Sequence, residues 1–125
     1  MSALRNTIQR QIVYDTVISM KNHPTADEIY DEICKKYNSF SKATVYRNLK
    51  LLSGQNKIKH IEIPNSADCY DFTLTNHYHI KCRKCCRVYD MDIPYLSDLD
   101  KKSSLKFEIE SHNIVFNGTC PDCIK

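Results

Sequence analysis

The chain has no apolar run long enough to cross a bilayer, and its polar start, MSALRNTIQRQ, lacks the core of a signal peptide. The expectation is a cytoplasmic protein with no membrane partner. It also lacks internal repeats and low-complexity tracts, which excludes a repeat array or a disordered linker as its organising principle. At 125 residues it has room for one ordinary domain or two small ones. Two small halves would each have a thin core, so a structural metal in one of them makes physical sense. Seven cysteines in a reducing compartment favour metal binding over disulfides. The net charge of +3 hides an asymmetry. Residues 1–60 hold ten Lys/Arg against five Asp/Glu, whereas residues 61–125 hold eight against ten. A basic front half suits contact with a polyanion.

Hydrophobic spacing divides the chain in the same way. Ile8, Ile12, Val13, Val17 and Met20 recur at helical spacing and predict a helix over 7–20, broken by Asn22-His23-Pro24. Thr25-Ala-Asp-Glu28 is a capping box that starts a second helix with Ile29, Ile33 and Tyr37 as its buried stripe. Ser41 caps a third, with Val45, Leu49 and Leu52 inward and Gly54 at its end. The period then becomes two: 59–63 and 70–74 alternate around a 64–68 turn, which predicts a β-hairpin. Three helices and a hairpin is the order of a winged helix. The rest predicts a strand at 78–82, a strand at 87–91, a helix near 94–103 begun by Pro94, and strands within 105–116. The expected fold is α+β: a winged-helix domain at 1–74 and a small α/β domain at 75–125.

Three groups of residues carry chemistry. Cys82–Cys85 and Cys120–Cys123 are two Cys-x-x-Cys knuckles, 34 residues apart. Together they can place four thiolates around one tetrahedral zinc. A redox dithiol pair or an iron–sulfur cluster are the rivals, and neither knuckle reads as the helix N-terminus that a redox pair needs. Cys34, Cys69 and Cys86 lie outside the knuckles and read as small buried hydrophobes or spectator thiols. His77 and His79 share one face of a strand beside the first knuckle, with Asp71 and Asp90 flanking them in sequence; such donors suit Fe(II), Mn(II) or Zn(II). His60 and His112 read as satisfied structural groups. The inward stripe of the third helix leaves Lys42, Thr44, Tyr46, Arg47 and Lys50 facing out, a set that fits a DNA major groove. There Arg47 would read a guanine edge, and Lys42, Lys50 and Tyr46 would contact phosphates.

These residues together resemble the ferric uptake regulator family of bacterial metal-dependent repressors over nearly the whole chain. His23-Pro-Thr-Ala-Asp-Glu-Ile-Tyr30, Ala43-Thr-Val-Tyr-Arg-Asn-Leu49, His77-Tyr-His-Ile-Lys-Cys-Arg-Lys-Cys85 and Cys120-Pro-Asp-Cys123 are similar to family signatures, in family order. Within the family the chain most resembles the peroxide-sensing repressor branch. Its regulatory pattern of three His and two Asp maps onto His23, Asp71, His77, His79 and Asp90, and Asp90 stands where the iron sensors tend to carry Glu. The resemblance implies a homodimer joined through the C-terminal half and binding double-stranded operator DNA at an inverted repeat. It also implies structural Zn(II) at the cysteines and regulatory Fe(II) or Mn(II). His23 or His77 would gain an oxygen when the iron form meets hydrogen peroxide, releasing the iron and the DNA. Three departures stand out. Arg47 is more like the iron sensors, Cys86 replaces a usual Gly, and family members often have a further helical segment before Gln9-Arg10.

Two other readings stay open. An iron- or manganese-level sensor would use the same residues with reversible metal loss. A metallohydrolase would use the His/Asp cluster, but it needs a general base that does not stand out and leaves the front half unexplained. A thiol oxidoreductase built on Cys85 and Cys86 is weaker still.

Overall fold

The structure is a computed structural model that describes residues 2–102 and 105–124, the side chains of residues 2–5 excepted. It divides into two compact units, Met1–Leu74 and Thr75–Lys125. The first unit has helices α1 (Ser2–Ser19), α2 (Ala26–Cys34) and α3 (Lys42–Gly54), then strands β1 (Lys59–Ile61) and β2 (Cys69–Asp71). The second has β3 (His79–Cys82), β4 (Val88–Asp90), a 3-10 turn (Ser97–Lys101), β5 (Val115–Gly118) and the one-turn helix α4 (Pro121–Ile124).

Each helix of the first unit starts or stops where local chemistry requires. Thr25 accepts from the Glu28 N–H while the Glu28 carboxylate accepts from the Thr25 N–H, closing a capping box. The Ser41 hydroxyl accepts from the Thr44 N–H at the start of α3. Val13 and Val17 of α1, Ile29 and Ile33 of α2, Phe40, and Val45, Leu49 and Leu52 of α3 form one core with Ile58. Burying side chains of this size contributes roughly 1.5–3 kcal/mol each before chain entropy is counted, so this unit carries its own core.

Several expectations need correction. α1 starts before residue 7, and Ile8 lies on its open side at 52% exposure. Tyr37 lies beyond the end of α2 and is exposed, with its ring against Phe40. α3 does end at Gly54, as expected, but the left-handed residue after the helix is Asn56, with φ 59°. The hairpin strands are three residues each, and Phe72 and Leu74 are exposed rather than alternating into a sheet. In the second unit the predicted helix near 94–103 contracts to the 3-10 turn at Ser97–Lys101, none of whose residues is buried to hold a longer helix against the unit; position 103 lies outside the described residues. Of the strands expected within 105–116 only β5 forms, running on to Gly118.

The sheets are β1–β2, antiparallel, and β4–β3–β5. β3 is central, antiparallel to β4 and parallel to β5. The parallel pairing needs a long crossover, and the chain between residues 91 and 114 supplies it.

Candidate metal centres

The four knuckle cysteines meet because of strand register. Cys82 ends β3 opposite Gly118 of β5, and the Arg83 N–H donates to the Gly118 carbonyl at 2.8 Å. Cys120 therefore follows β5 back to the first knuckle. One sulfur from each of Cys82, Cys85, Cys120 and Cys123 lies within 4.8 Å of all the others. Zinc–sulfur bonds of about 2.3 Å place tetrahedral sulfurs about 3.8 Å apart, and the Cys85 and Cys120 sulfurs stand at 3.8 Å. The backbone N–H groups of Cys85 and Cys120 point at the Cys82 sulfur, at 3.5 and 3.3 Å. These donors lower the Cys82 thiol to about 6, whereas the shared hydrogen bond with Cys120, and then burial, raise Cys123. A pocket of four crowded sulfurs, one already favouring the thiolate, fits a divalent zinc ion. Contrary to expectation Cys120 does precede a helix, but α4 is only one turn long and follows no βαβ unit. Cys86 is exposed and left-handed, with φ 65°, in the tight turn closed by its N–H to the Cys82 carbonyl at 2.9 Å. A side chain is strained there.

The His/Asp residues form one set in each unit. In the first, an isolated antiparallel bridge pairs Thr25 with Cys69, and the Tyr70 N–H donates to the Pro24 carbonyl at 2.9 Å. Continuing that register by two residues sets His23 against Asp71, with Nε2 and Oδ2 3.4 Å apart and both side chains nearly buried. His23 has φ 55°, a backbone state uncommon for a residue with a side chain and often found at functional positions. Lys59 pairs with Asp71 from the other side; burial pulls its ammonium below the ordinary value and Asp71 offsets part of that.

In the second unit His79 is the register partner of Asp90. His77 Nε2 lies 2.8 Å from Asp90 Oδ1, His79 Nε2 lies 3.4 Å from the same atom, and the two imidazoles are 4.4 Å apart. His77 Nδ1 meets the Thr75 carbonyl at 2.8 Å, which turns Nε2 toward Asp90. Two imidazoles and a carboxylate converging on one point are the donor set of a ferrous or manganous site with positions to spare.

One cluster escaped the sequence reading. Tyr78, 1% exposed, points away from the His77/His79 face. Its hydroxyl meets His112 Nε2 at 2.6 Å and accepts from the Leu96 N–H at 3.0 Å. His112 Nδ1 lies 2.7 Å from Asp100, and Tyr95 stacks on the imidazole at 4.5 Å. With the imidazole neutral, Asp100 accepts from Nδ1–H and the Tyr78 hydroxyl donates to Nε2. The only sequence signal was His112 itself, because its partners are 12 to 34 positions away.

On α3 the side chains of Lys42, Tyr46, Arg47 and Lys50 are exposed, while Thr44 is half-buried and hydrogen-bonds the Ser41 hydroxyl at 3.0 Å. Tyr46 donates its hydroxyl to Asp27 of α2 at 2.6 Å, and Lys42 approaches the same carboxylate at 3.8 Å. His60 pairs with Asp68 at 2.8 Å and stacks on Tyr70.

Four clustered thiolates, and His/Asp donors that are mostly buried apart from Asp90, are groups that could hold metal ions. The chain belongs to the ferric uptake regulator family, which it matches over residues 1–117. Structural zinc and a regulatory iron or manganese ion are the metals of that family. The chain is 34% identical over 124 residues to the peroxide-responsive repressor PerR of Staphylococcus epidermidis, covering 98% of this chain and 83% of that protein. It is 32% identical to the Staphylococcus aureus protein of the same name, with coverage of 98% and 84%. Among solved structures it is similar to the Campylobacter jejuni peroxide stress regulator, with a TM-score of 0.72, 32% identity and coverage of 96% of this chain and 92% of that one. It is also similar to the Helicobacter pylori ferric uptake regulator, with a TM-score of 0.77, 26% identity and coverage of 94% and 80%. Among the described residues no helix is long and apolar enough to cross a membrane.

Proposed function

We propose that this chain is a peroxide-sensing repressor that binds operator DNA as a homodimer when its regulatory metal is in place. The observation that carries this reading is the donor set itself: His23 with Asp71 in one unit, and His77 and His79 with Asp90 in the other. Two donors hold an ion weakly and three leave its coordination open. One ion drawing on all five would bind best, and would favour the arrangement of the two units that meets DNA. The peroxide-responsive relatives support the same reading.

Bound iron would supply the oxidation chemistry: one hydrogen peroxide delivers one oxygen atom to a ligand histidine and departs as water. His23 and His77 are the histidines at stake. Oxidation converts an imidazole donor to a poor one, so the shared ligand set is lost and the units are released from each other. With manganese in the same place the histidines stay intact.

The first unit acts as a winged helix in this reading, with α3 in the major groove and the β1–β2 hairpin as the wing. Arg47 reads a base edge, Lys42, Tyr46 and Lys50 contact phosphates, and Thr44 mainly caps the helix. The second unit makes the dimer; its exposed Leu96, Leu99, Phe107 and Ile109 offer the apolar surface that a second copy would cover. A sensor of iron or manganese level uses the same residues and is favoured by Arg47.

The test is peptide mass spectrometry on protein loaded anaerobically with Fe(II), then given low hydrogen peroxide, against an Mn(II) control. One added oxygen on the His23 or His77 peptide in the iron sample alone is expected. Unmodified histidines in both samples would transfer the assignment to a metal-level sensor.

A further inference from the structure

The face between α1 and α3 has a role that the recognition helix alone does not account for. An open groove of about 660 Å³ runs there, with Asn6 and Arg10 of α1 on one wall and Arg47 and Lys50 of α3 on the other. Arg10 also lines a second groove, of about 400 Å³, together with Lys57. Among the described residues no Asp or Glu lines either groove. Four of the ten cations in residues 1–60 are therefore gathered on one band that crosses from α3 over α1 to the turn after α3.

Arg10 is unusual within that band. It is half-buried, and its Nε is wholly buried with no hydrogen-bond partner among the described residues. Burial of Nε fixes the stem, so the guanidinium keeps its charge beside the groove and loses little side-chain freedom when an anion arrives. Lys50 and Arg47 join the groove to the open face of α3.

We propose that this band binds the sugar–phosphate backbone of the duplex flanking the bases read by α3, with Arg10 as its central phosphate contact. The inference rests on the reading of the chain as a DNA-binding regulator. Charge complementarity and continuity with the α3 face select a polyanionic strand over a small free anion, which would need only one of the two grooves. Contacts of this kind set register and affinity without reading sequence.

Gly54 supplies an independent handle. It forms part of the groove; a Cβ there would meet nothing within 4 Å, and its φ is not positive. A large side chain at 54 can therefore fill the groove without removing a cation.

The experiment uses the full chain loaded with zinc and Mn(II), and a duplex selected by the wild-type protein from a random-sequence library. Binding is measured by fluorescence anisotropy across a salt series, on that duplex and on an unrelated one. Arg10→Gln should flatten the slope of log K against log salt by about 0.9, the value of one phosphate contact, and weaken both duplexes by the same factor. Arg10→Lys should restore the slope, and Gly54→Phe should weaken both duplexes with every cation present. Lys35→Gln, exposed just past the end of α2, should change nothing. Arg47→Gln should reduce discrimination between the duplexes. If Arg47→Gln does so while Arg10→Gln and Gly54→Phe bind as wild type, the band is overturned and the α3 reading stands. If none of the three alters binding, both are overturned.

Discussion

Replacing Cys82 with Ser isolates what the thiolate pocket contributes. Cys82 is 2% exposed, ends the central strand β3, and accepts the N–H groups of both Cys85 and Cys120. A serine hydroxyl keeps the size and loses the thiolate, so zinc is left with three protein ligands. Structural zinc contributes on the order of 10–16 kcal/mol to folding in small metal-dependent domains. The second unit has little else to draw on: among the described residues its buried apolar side chains are Tyr78, Cys82, Val88 and Cys120, and two of those four belong to the four-cysteine cluster. Even a fraction of that contribution exceeds the stability of an ordinary domain of this size. The expected result is loss of zinc and of the β4–β3–β5 sheet together, and with them of the proposed dimer. The first unit, with its own nine-residue core, should keep its helices. Zinc per chain by elemental mass spectrometry and hydrogen exchange by peptide read the two effects separately. Full zinc occupancy in the variant, or a zinc-free variant whose residues 79–82 and 115–118 exchange as slowly as wild type, refutes the reasoning.

Three further outcomes are expected. Tyr78→Phe removes the hydroxyl that joins His112 to the Leu96 N–H, leaving buried partners unsatisfied, and should lower stability by about 1–3 kcal/mol, read as a shift in thermal midpoint with zinc content unchanged. Asp27→Ala should lower the titration midpoint of Tyr46, because the hydrogen bond to Asp27, then burial, raises that phenol above its ordinary value. A raised value adds stability that is present below the unfolded phenol's range and lost as pH rises through the folded one, but the side chain is exposed, so NMR of labelled tyrosine is the measurement. Gly54→Ala should stabilise the first unit by about 0.5–1 kcal/mol through helix propensity, since the added methyl meets nothing, and chemical denaturation checks it.

Elements whose signals are local were legible in the sequence. The capping box at Thr25, the Ser41 cap and the Ile29/Ile33 and Val45/Leu49/Leu52 stripes need only neighbours within a turn or two. The two knuckles were legible because zinc ligation has a fixed short spacing. The back half differs from expectation where spacing gives way to context: residues 105–114 alternate like a strand, yet of residues 105–118 only β5 (Val115–Gly118) joins the sheet, beside β3. Its parallel partner lies more than thirty positions away, and period alone does not name a partner.

The donor sets expose the same limit more sharply. His23 faces Asp71 because Thr25 bridges Cys69, and His79 faces Asp90 because β3 and β4 pair in one register. A slip of one residue in either pairing would turn the carboxylate to the opposite face and dissolve the set. Residue types and spacing therefore name the candidates, whereas only register brings them together. The Tyr78–His112–Asp100 network follows the same rule from the other face of β3: alternation that turns His77 and His79 one way turns Tyr78 the other, into the partners that anchor it. The His77–His79 pair and the Tyr78 anchor are thus two consequences of one extended segment that runs into β3, and a change that frees Tyr78 should loosen that pair without touching either histidine.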